Sequence, residues 1–286
     1  TLQMQTYDVA EILKVGLNTI SITVNNGWYC GPLKWLQKVK TYGEQSAVCA
    51  ELDIDGNDIF TDESWTARES YIRESGIYDG ETIDYTRELK SLNLCVVPFD
   101  KNKIVPQICE PVKNIERLAV KREILTENGD KVYDFGQNFA GVVEVKTPKN
   151  YCGTFVMKFA EILVDGEFYT DNLREAKATD TVTICGEKTI MPEFTYHGFR
   201  YLKISGADFD KDCITGIVRH TDMKRTGKIS VDNARIQRLI DNALWSQKSN
   251  FVDIPTDCPQ RDERIGWTGD INAFLPVAAV NYGVSA

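Results

Sequence analysis

Histidine is scarce in this 286-residue chain: there are two, His197 and His220. Neither has a cysteine or a second histidine close by in sequence, so each reads as a hydrogen-bonded or rim residue rather than a metal ligand. No metal site is expected. The eight cysteines are never closer than fourteen positions, which excludes a C-x₂-C metal or redox motif. Most lie in apolar strand-like runs such as Leu92–Val97, where a free thiol behaves as a small hydrophobe, and reduced buried thiols are expected. No run approaches the ~20 apolar residues that cross a bilayer. Basic charge is also in deficit: the net charge is −9, with a pI near 4.9, which argues against nucleic acid or an anionic membrane as partner. No charged-then-apolar leader opens the chain, so a cytoplasmic protein is expected, with a native start upstream of Thr1.

What is present suits two domains and part of a third. Tyr7–Gly16 reads as a short helix, and Ile20, Ile22 and Val24 alternate with polar residues as in a half-buried strand. Trp28 and Tyr29 follow a turn and read as a plug at the end of a sandwich. Ala47–Ile54 is a strand closed by the hairpin signal Asp55-Gly56. Prolines 98, 106 and 111 punctuate a linker. Then come short strand candidates over 117–125, 131–135, 141–146, 154–162, 179–185, 193–205 and 213–220, the spacing of an antiparallel sandwich. After Gly227 the period changes. Asp232 can cap a helix carrying Ile236, Leu239, Ile240, Ala243 and Leu244 at helical spacing. A second helix over 273–280 is apolar all round, as a fully buried helix is.

Between these helices lies Thr256–Asp270, fifteen residues with four carboxylates, two arginines and a tryptophan. Polar groups on an irregular segment between apolar helices are what a site needs if they are to converge on one ligand. Three other readings stand beside that one. The stretch could be an Asp/Arg ion-pair network tying the helices together. It could be a divalent-metal site of Asp257, Asp262, Glu263 and Asp270, although two arginines compete and the spacing is not that of an EF-hand. The third reading is a noncatalytic carbohydrate-binding protein built from the sandwiches.

The sequence Asp257-Cys258-Pro259-Gln260-Arg261-Asp262-Glu263-Arg264-Ile265-Gly266-Trp267-Thr268-Gly269-Asp270 resembles the signature of bacterial α-L-rhamnosidases of glycoside hydrolase family 78. Gly27–Gly31, Tyr133–Gly141 and Phe194–Tyr201 resemble that family's sandwich motifs, in the same order. The resemblance implies a mainly β chain: two β-sandwich domains, over 1–112 and 113–224, and the first helices of an (α/α)₆ barrel over 225–286. It implies a glycosidase that removes terminal α-L-rhamnose with inversion and needs no cofactor. By position Glu263 is the general acid, and Asp257, Arg261, Trp267 and Asp270 hold the sugar. The partner is a rhamnose-containing glycoside or oligosaccharide, and a homo-oligomer is open. The family's general base is expected beyond Ala286 and the first strands before Thr1, so the chain alone is expected to be inactive.

Overall fold

A computed structural model describes residues 2–284 of the chain. Its centre is a ten-stranded sheet. We number its strands in chain order: β1 (Ile72–Gly76), β2 (Gly80–Asp84), β3 (Val112–Ala119), β4 (Arg122–Leu125), β5 (Lys131–Lys146), β6 (Cys152–Ala160), β7 (Thr179–Cys185), β8 (Thr189–Ile190), β9 (His197–Ser205) and β10 (Ile214–Thr221). The order across the sheet is β3-β10-β5-β9-β6-β7-β2-β1, with β4 and β8 also paired to β5. All pairings are antiparallel except β2 with β7.

The expected strands over 131–135 and 141–146 are one strand, β5, whose pairing with β9 breaks register between Asp134 and Phe139. Gly136 sits in that break at φ +75°, a backbone region that suits glycine. Inward residues of three strands, β5, β6 and β9, meet in one aromatic core. Phe135, Phe139, Phe155, Phe159 and Phe199 are all essentially solvent-free. Phe135, Phe139 and Phe199 contact one another at tilted and edge-to-face angles, the arrangement ring quadrupoles favour.

The region before residue 112 departs from several expectations. The Asp55-Gly56 hairpin forms, with Glu51–Ile54 paired to Asn57–Phe60 and both turn residues at positive φ. The helix expected over 7–16 is a pair of turns, and no strand forms over 18–25. Ile20, Ile22 and Val24 alternate as a strand does but find no ladder partner, and all three stay over two-fifths exposed. Alternation marks a face; a strand also needs a neighbour to take its backbone hydrogen bonds. The hairpin β1–β2, inside the first expected domain, joins the second domain's sheet.

Glu81 anchors that junction. It is buried on β2 and accepts the backbone N–H groups of Glu193 and Phe194. Burial pushes its carboxyl from an ordinary 4.5 up to about 7, against the pull of those two N–H donors. In the unfolded chain the group loses its proton near 4.5, so between about pH 4.5 and 7 the native state holds a proton that the unfolded state lacks. The stabilisation is therefore full below pH 4.5 and disappears as pH rises through 7. Unfolding free energies from urea titration at pH 5 and pH 8 should differ by more in the wild type than in Glu81→Gln, by on the order of 2 kcal/mol. Equal differences in the two proteins would contradict the assignment.

The cysteines hold one surprise. Cys152 and Cys185 stand directly opposite each other on β6 and β7 and form a disulfide. Reduced thiols were the expectation at all eight positions; sequence distance hid this pair, because 33 residues separate two positions that the hairpin pairing brings face to face. Cys30 and Cys258 are free and buried, as expected, whereas Cys49 and Cys95 are exposed.

Two helices complete the described chain: α1 (Ala234–Asn250) and α2 (Thr268–Asn281). Asn233, not Asp232, caps α1, its side chain accepting the N–H groups of Arg235 and Ile236. The second helix begins earlier than expected, so Thr268, Gly269 and Asp270 form its first turn. Its apolar surface is only partly covered. Ala278 is fully buried, while Leu275, Val277 and Val280 stay about half exposed.

Candidate active site

The segment from Asp257 to Trp267 leaves α1 through a tight hairpin, Phe251–Val252 with Ile254–Pro255, whose turn residue Asp253 has φ +70°. It then lies against the sheet at Gly198. A Cβ on Gly198 would come within 2.7 Å of Pro259 and 2.9 Å of Gln260, so this glycine lets the segment approach β9.

Arg264 fixes the segment in place. It is only 1% exposed and, among the described residues, has no carboxylate partner. Instead its guanidinium donates to four backbone carbonyls. Nη1 reaches Ile77 and Tyr196, each at 2.7 Å, Nη2 reaches Gln260 at 3.0 Å, and Nε reaches Arg261 at 3.0 Å. The rings of Tyr78 and Tyr196 flank it, 5.5 and 4.8 Å from the guanidinium carbon. One side chain thus ties β1–β2, the start of β9 and the motif together. Burial lowers its affinity for the proton, opposed by the two tyrosines and Cys258. Arg264 also adopts φ +50°, a strained value for a non-glycine residue with a bulky side chain. The pattern Asp-Glu-Arg gave no hint of this role, since a buried arginine with only carbonyl partners has no sequence signature.

With Arg264 anchored, its neighbours point into a cluster around Glu263, itself 8% exposed. Arg261 donates from Nε to Glu263 Oε2 at 3.1 Å and from Nη2 to Asp257 Oδ2 at 3.1 Å, bridging the two carboxylates. Arg174, from the turn after Asp171–Leu173, reaches the same Oε2 at 3.2 Å. Its guanidinium stacks over Trp35, 4.7 Å from the ring centroid, and its φ is +55°. On the other oxygen, Oε1, Trp267 donates from Nε1 at 2.9 Å. Asp257 Oδ1 accepts the Ile265 N–H at 2.9 Å. The backbone is held too. Tyr78 donates to the Glu263 carbonyl at 3.3 Å, with Trp28 donating to the Tyr78 hydroxyl, and Trp35 N–H reaches the Asp262 carbonyl. Trp28 therefore packs on the core as the expected plug and also braces the site.

Of the five sequence-predicted residues, the structure joins Asp257, Arg261, Glu263 and Trp267 in one hydrogen-bonded cluster. Asp270 is exposed on the first turn of α2, and among the described residues no hydrogen bond or ion pair links it to the others. Arg174 and Trp35 were not foreseen: each is a lone residue in a loop, far from the motif in sequence.

A cation fits this cluster poorly. Donor atoms of Asp257, Cys258 and Glu263 lie within 4.8 Å of one another. However, burial and the Asp257 carboxylate push the Cys258 thiol up to about 12, which keeps it protonated. The Arg261 guanidinium already occupies the space between the carboxylates.

Comparison with known proteins finds family matches along the whole chain. Residues 1–125 match the α-L-rhamnosidase N-terminal domain, 124–220 the bacterial α-L-rhamnosidase concanavalin-like domain, and 224–286 the bacterial α-L-rhamnosidase 6 hairpin glycosidase domain. The chain belongs to the bacterial α-L-rhamnosidase family. An α-L-rhamnosidase of Formosa agariphila is 36% identical over 98% of this chain and 33% of its own length. One from Streptomyces avermitilis is 36% identical over 97% of the chain and 29% of its own length. Among solved structures, an α-L-rhamnosidase from Aspergillus terreus superposes with a TM-score of 0.82 at 35% identity, covering 91% of this chain and 33% of that one. The Streptomyces avermitilis enzyme complexed with L-rhamnose gives 0.80 at 33% identity, covering 90% and 27%. The chain thus spans about a third of the length of these family members.

Proposed function

We propose that the polypeptide carrying this chain hydrolyses terminal α-L-rhamnosides with inversion, Glu263 acting as the general acid. The observation that carries this reading is the unequal treatment of the two Glu263 oxygens. Oε2 takes both guanidinium groups, while Oε1 meets only the neutral Trp267 N–H. Oε2 is engaged by the two guanidinium groups, which leaves Oε1 as the oxygen from which a proton would be handed to a departing glycosidic oxygen. Trp267 remains 39% exposed, so its ring keeps a free apolar face beside that oxygen for a sugar to stack on. Asp257 and Arg261 supply charged partners for sugar hydroxyls. Asp270, exposed one helical turn beyond Trp267, is assigned to the same sugar by the family resemblance alone.

An inverting pair needs carboxyl groups ~6.5–9.5 Å apart with a water between. Asp257 is too close to Glu263, and Arg261 fills the gap between them. Asp257 is therefore not the base of an inverting pair with Glu263. The disulfide favours an oxidising compartment over the cytoplasm.

Hydrolysis of an aryl α-L-rhamnoside, followed by proton NMR, tests the proposal. β-L-Rhamnose should be the first product, and the α-anomer should grow in only by mutarotation. Release of the α-anomer first would overturn the inverting mechanism, and binding without turnover would favour a noncatalytic carbohydrate-binding protein.

A further inference from the structure

Asp262, next to Glu263 in the chain, is 4% exposed, and its Oδ1 is buried with no hydrogen-bond partner among the described residues. A buried acceptor without a donor is costly, and a buried carboxylate more so. Among the described residues the one cation within ion-pair reach is Arg174, whose Nη1 lies 4.0 Å from that oxygen. The same nitrogen donates to Glu263 Oε2 at 3.2 Å. Arg174 therefore stands between two carboxylates and satisfies one of them.

The two guanidinium groups on Glu263 are held differently. Arg261 bridges Glu263 and Asp257, so it cannot leave one carboxylate without disturbing its bond to the other. The Arg174 guanidinium makes a single hydrogen bond among the described residues, and its side chain is 41% exposed. Its other contact is the face of Trp35, and stacking on a flat ring tolerates sliding. The Trp35 N–H donates to the Asp262 carbonyl at 3.2 Å, which keeps that ring beside Asp262 as well as Glu263. A shift of about 1 Å would bring Nη1 to hydrogen-bond distance of Asp262 Oδ1. The other charged and titratable groups of the cluster are already committed. Asp257 accepts from Arg261 and the Ile265 N–H, and Arg264 donates to four carbonyls. Burial keeps the Cys258 thiol protonated, Tyr78 donates to the Glu263 carbonyl, and Lys34, beside Trp35, is paired with Asp79.

A guanidinium on a carboxyl oxygen favours the ionised form, whereas a general acid must meet its substrate protonated. With a proton on Oε1 the Glu263 carboxyl is neutral and its hold on Arg174 weakens, while the attraction of Asp262 is unchanged. We propose that Asp262 is a positioning residue for the acid, taking Arg174 while Glu263 carries its proton and releasing it when the proton leaves. This deepens the rhamnosidase reading and rests on Glu263 being the acid. The proton passes from Oε1 to the glycosidic oxygen as the bond from that oxygen to the anomeric carbon breaks, its electron pair staying with the departing oxygen. Arg174 then returns to the charge that has formed on the Glu263 carboxylate.

Crystal structures of the wild type and of Glu263→Gln, whose neutral amide stands for the protonated acid, test the movement. In the variant Arg174 Nη1 should lie within hydrogen-bond distance of Asp262 Oδ1. The same Arg174 position in both proteins would overturn the proposal. The pH profile of kcat/KM on a rhamnosyl disaccharide, in the polypeptide that carries this chain, tests the consequence, because its alkaline limb reports loss of the acid's proton. Asp262→Asn removes the charge that draws Arg174 away and should move that limb to lower pH by about one unit. Arg174→Met removes the cation and should move it to higher pH by about one unit. A packing defect would not give shifts of opposite sign, and an unmoved limb in both variants would overturn the proposal. In the Arg174→Met background, Asp262→Asn should move the limb by less than about a third of a unit, since Asp262 acts through Arg174. A shift as large there as in the wild type would mean that Asp262 acts on Glu263 directly, and the proposal would fall. If the rhamnosidase reading alone fails, no variant has activity to profile, yet the Glu263→Gln structure still shows Arg174 on Asp262.

Discussion

Arg264→Met should destabilise the junction between sheet and motif by on the order of 3–5 kcal/mol. The substitution leaves the carbonyls of Tyr196, Gln260 and Arg261 without donors and that of Ile77 with only the Thr195 hydroxyl. A buried acceptor that loses its partner costs about 1–3 kcal/mol, and local relaxation offsets part of the sum. Arg264→Lys keeps the charge but should recover little. A lysine has one nitrogen with three donors, which cannot span four carbonyls set around a planar fork, and it is more strongly hydrated than a guanidinium. Hydrogen exchange reads the effect directly. Amides from Asp257 to Trp267 should lose most of their protection in both variants, while the β5, β6 and β9 amides should change little. Protection retained across the motif would show that the segment is held by something other than Arg264.

Glu263→Gln should lower kcat on a rhamnosyl disaccharide by about 10²–10⁴-fold in the polypeptide that carries this chain, as the loss of a general acid does. Gln can accept from Trp267 at its oxygen, but its amide nitrogen then meets the two guanidinium groups that now share Oε2. Some loss of sugar positioning should therefore accompany the loss of the proton, visible as a raised KM. Release of free rhamnose, assayed as reducing sugar, checks the figure. A fall of less than ten-fold would remove Glu263 from the acid's place.

Much of the sheet is legible in the sequence because its strands alternate and are separated by turn residues: the expected ranges fall within a few residues of β5, β6, β7, β9 and β10, whereas the single run expected over 117–125 is divided between β3 and β4, and β8 has no counterpart among them. The long strand β5 was read as two because Gly136 interrupts the pattern, whereas in the fold the interruption is a register break within one strand. The stretch around Ile20 and Val24 failed for the opposite reason: a clean period of two is not enough without a ladder neighbour. In the site, residues within the motif were legible because they crowd into fifteen positions. The long-range partners were not. Arg174, Trp35 and Tyr78 come from loops and strand ends separated from Glu263 by 89 residues or more, and single aromatic or basic residues there look like any surface position. Arg264 was in plain view within the motif, yet its role depends on four carbonyls from three segments of chain. Asp270 is the converse case: the resemblance assigns it to the sugar, and the fold gives it no partner in the cluster.

The central claim is that Glu263 delivers a proton from Oε1 to the departing oxygen. The most direct measurement compares Glu263→Gln with wild type on two α-L-rhamnosides, one whose leaving group is a sugar hydroxyl and one whose leaving group is an activated phenol that departs without protonation. The account predicts a fall in kcat of about 10²–10⁴-fold on the first and of less than about ten-fold on the second. Equal falls on both substrates would contradict it, because the substituted carboxyl would then be supporting the site rather than giving up a proton.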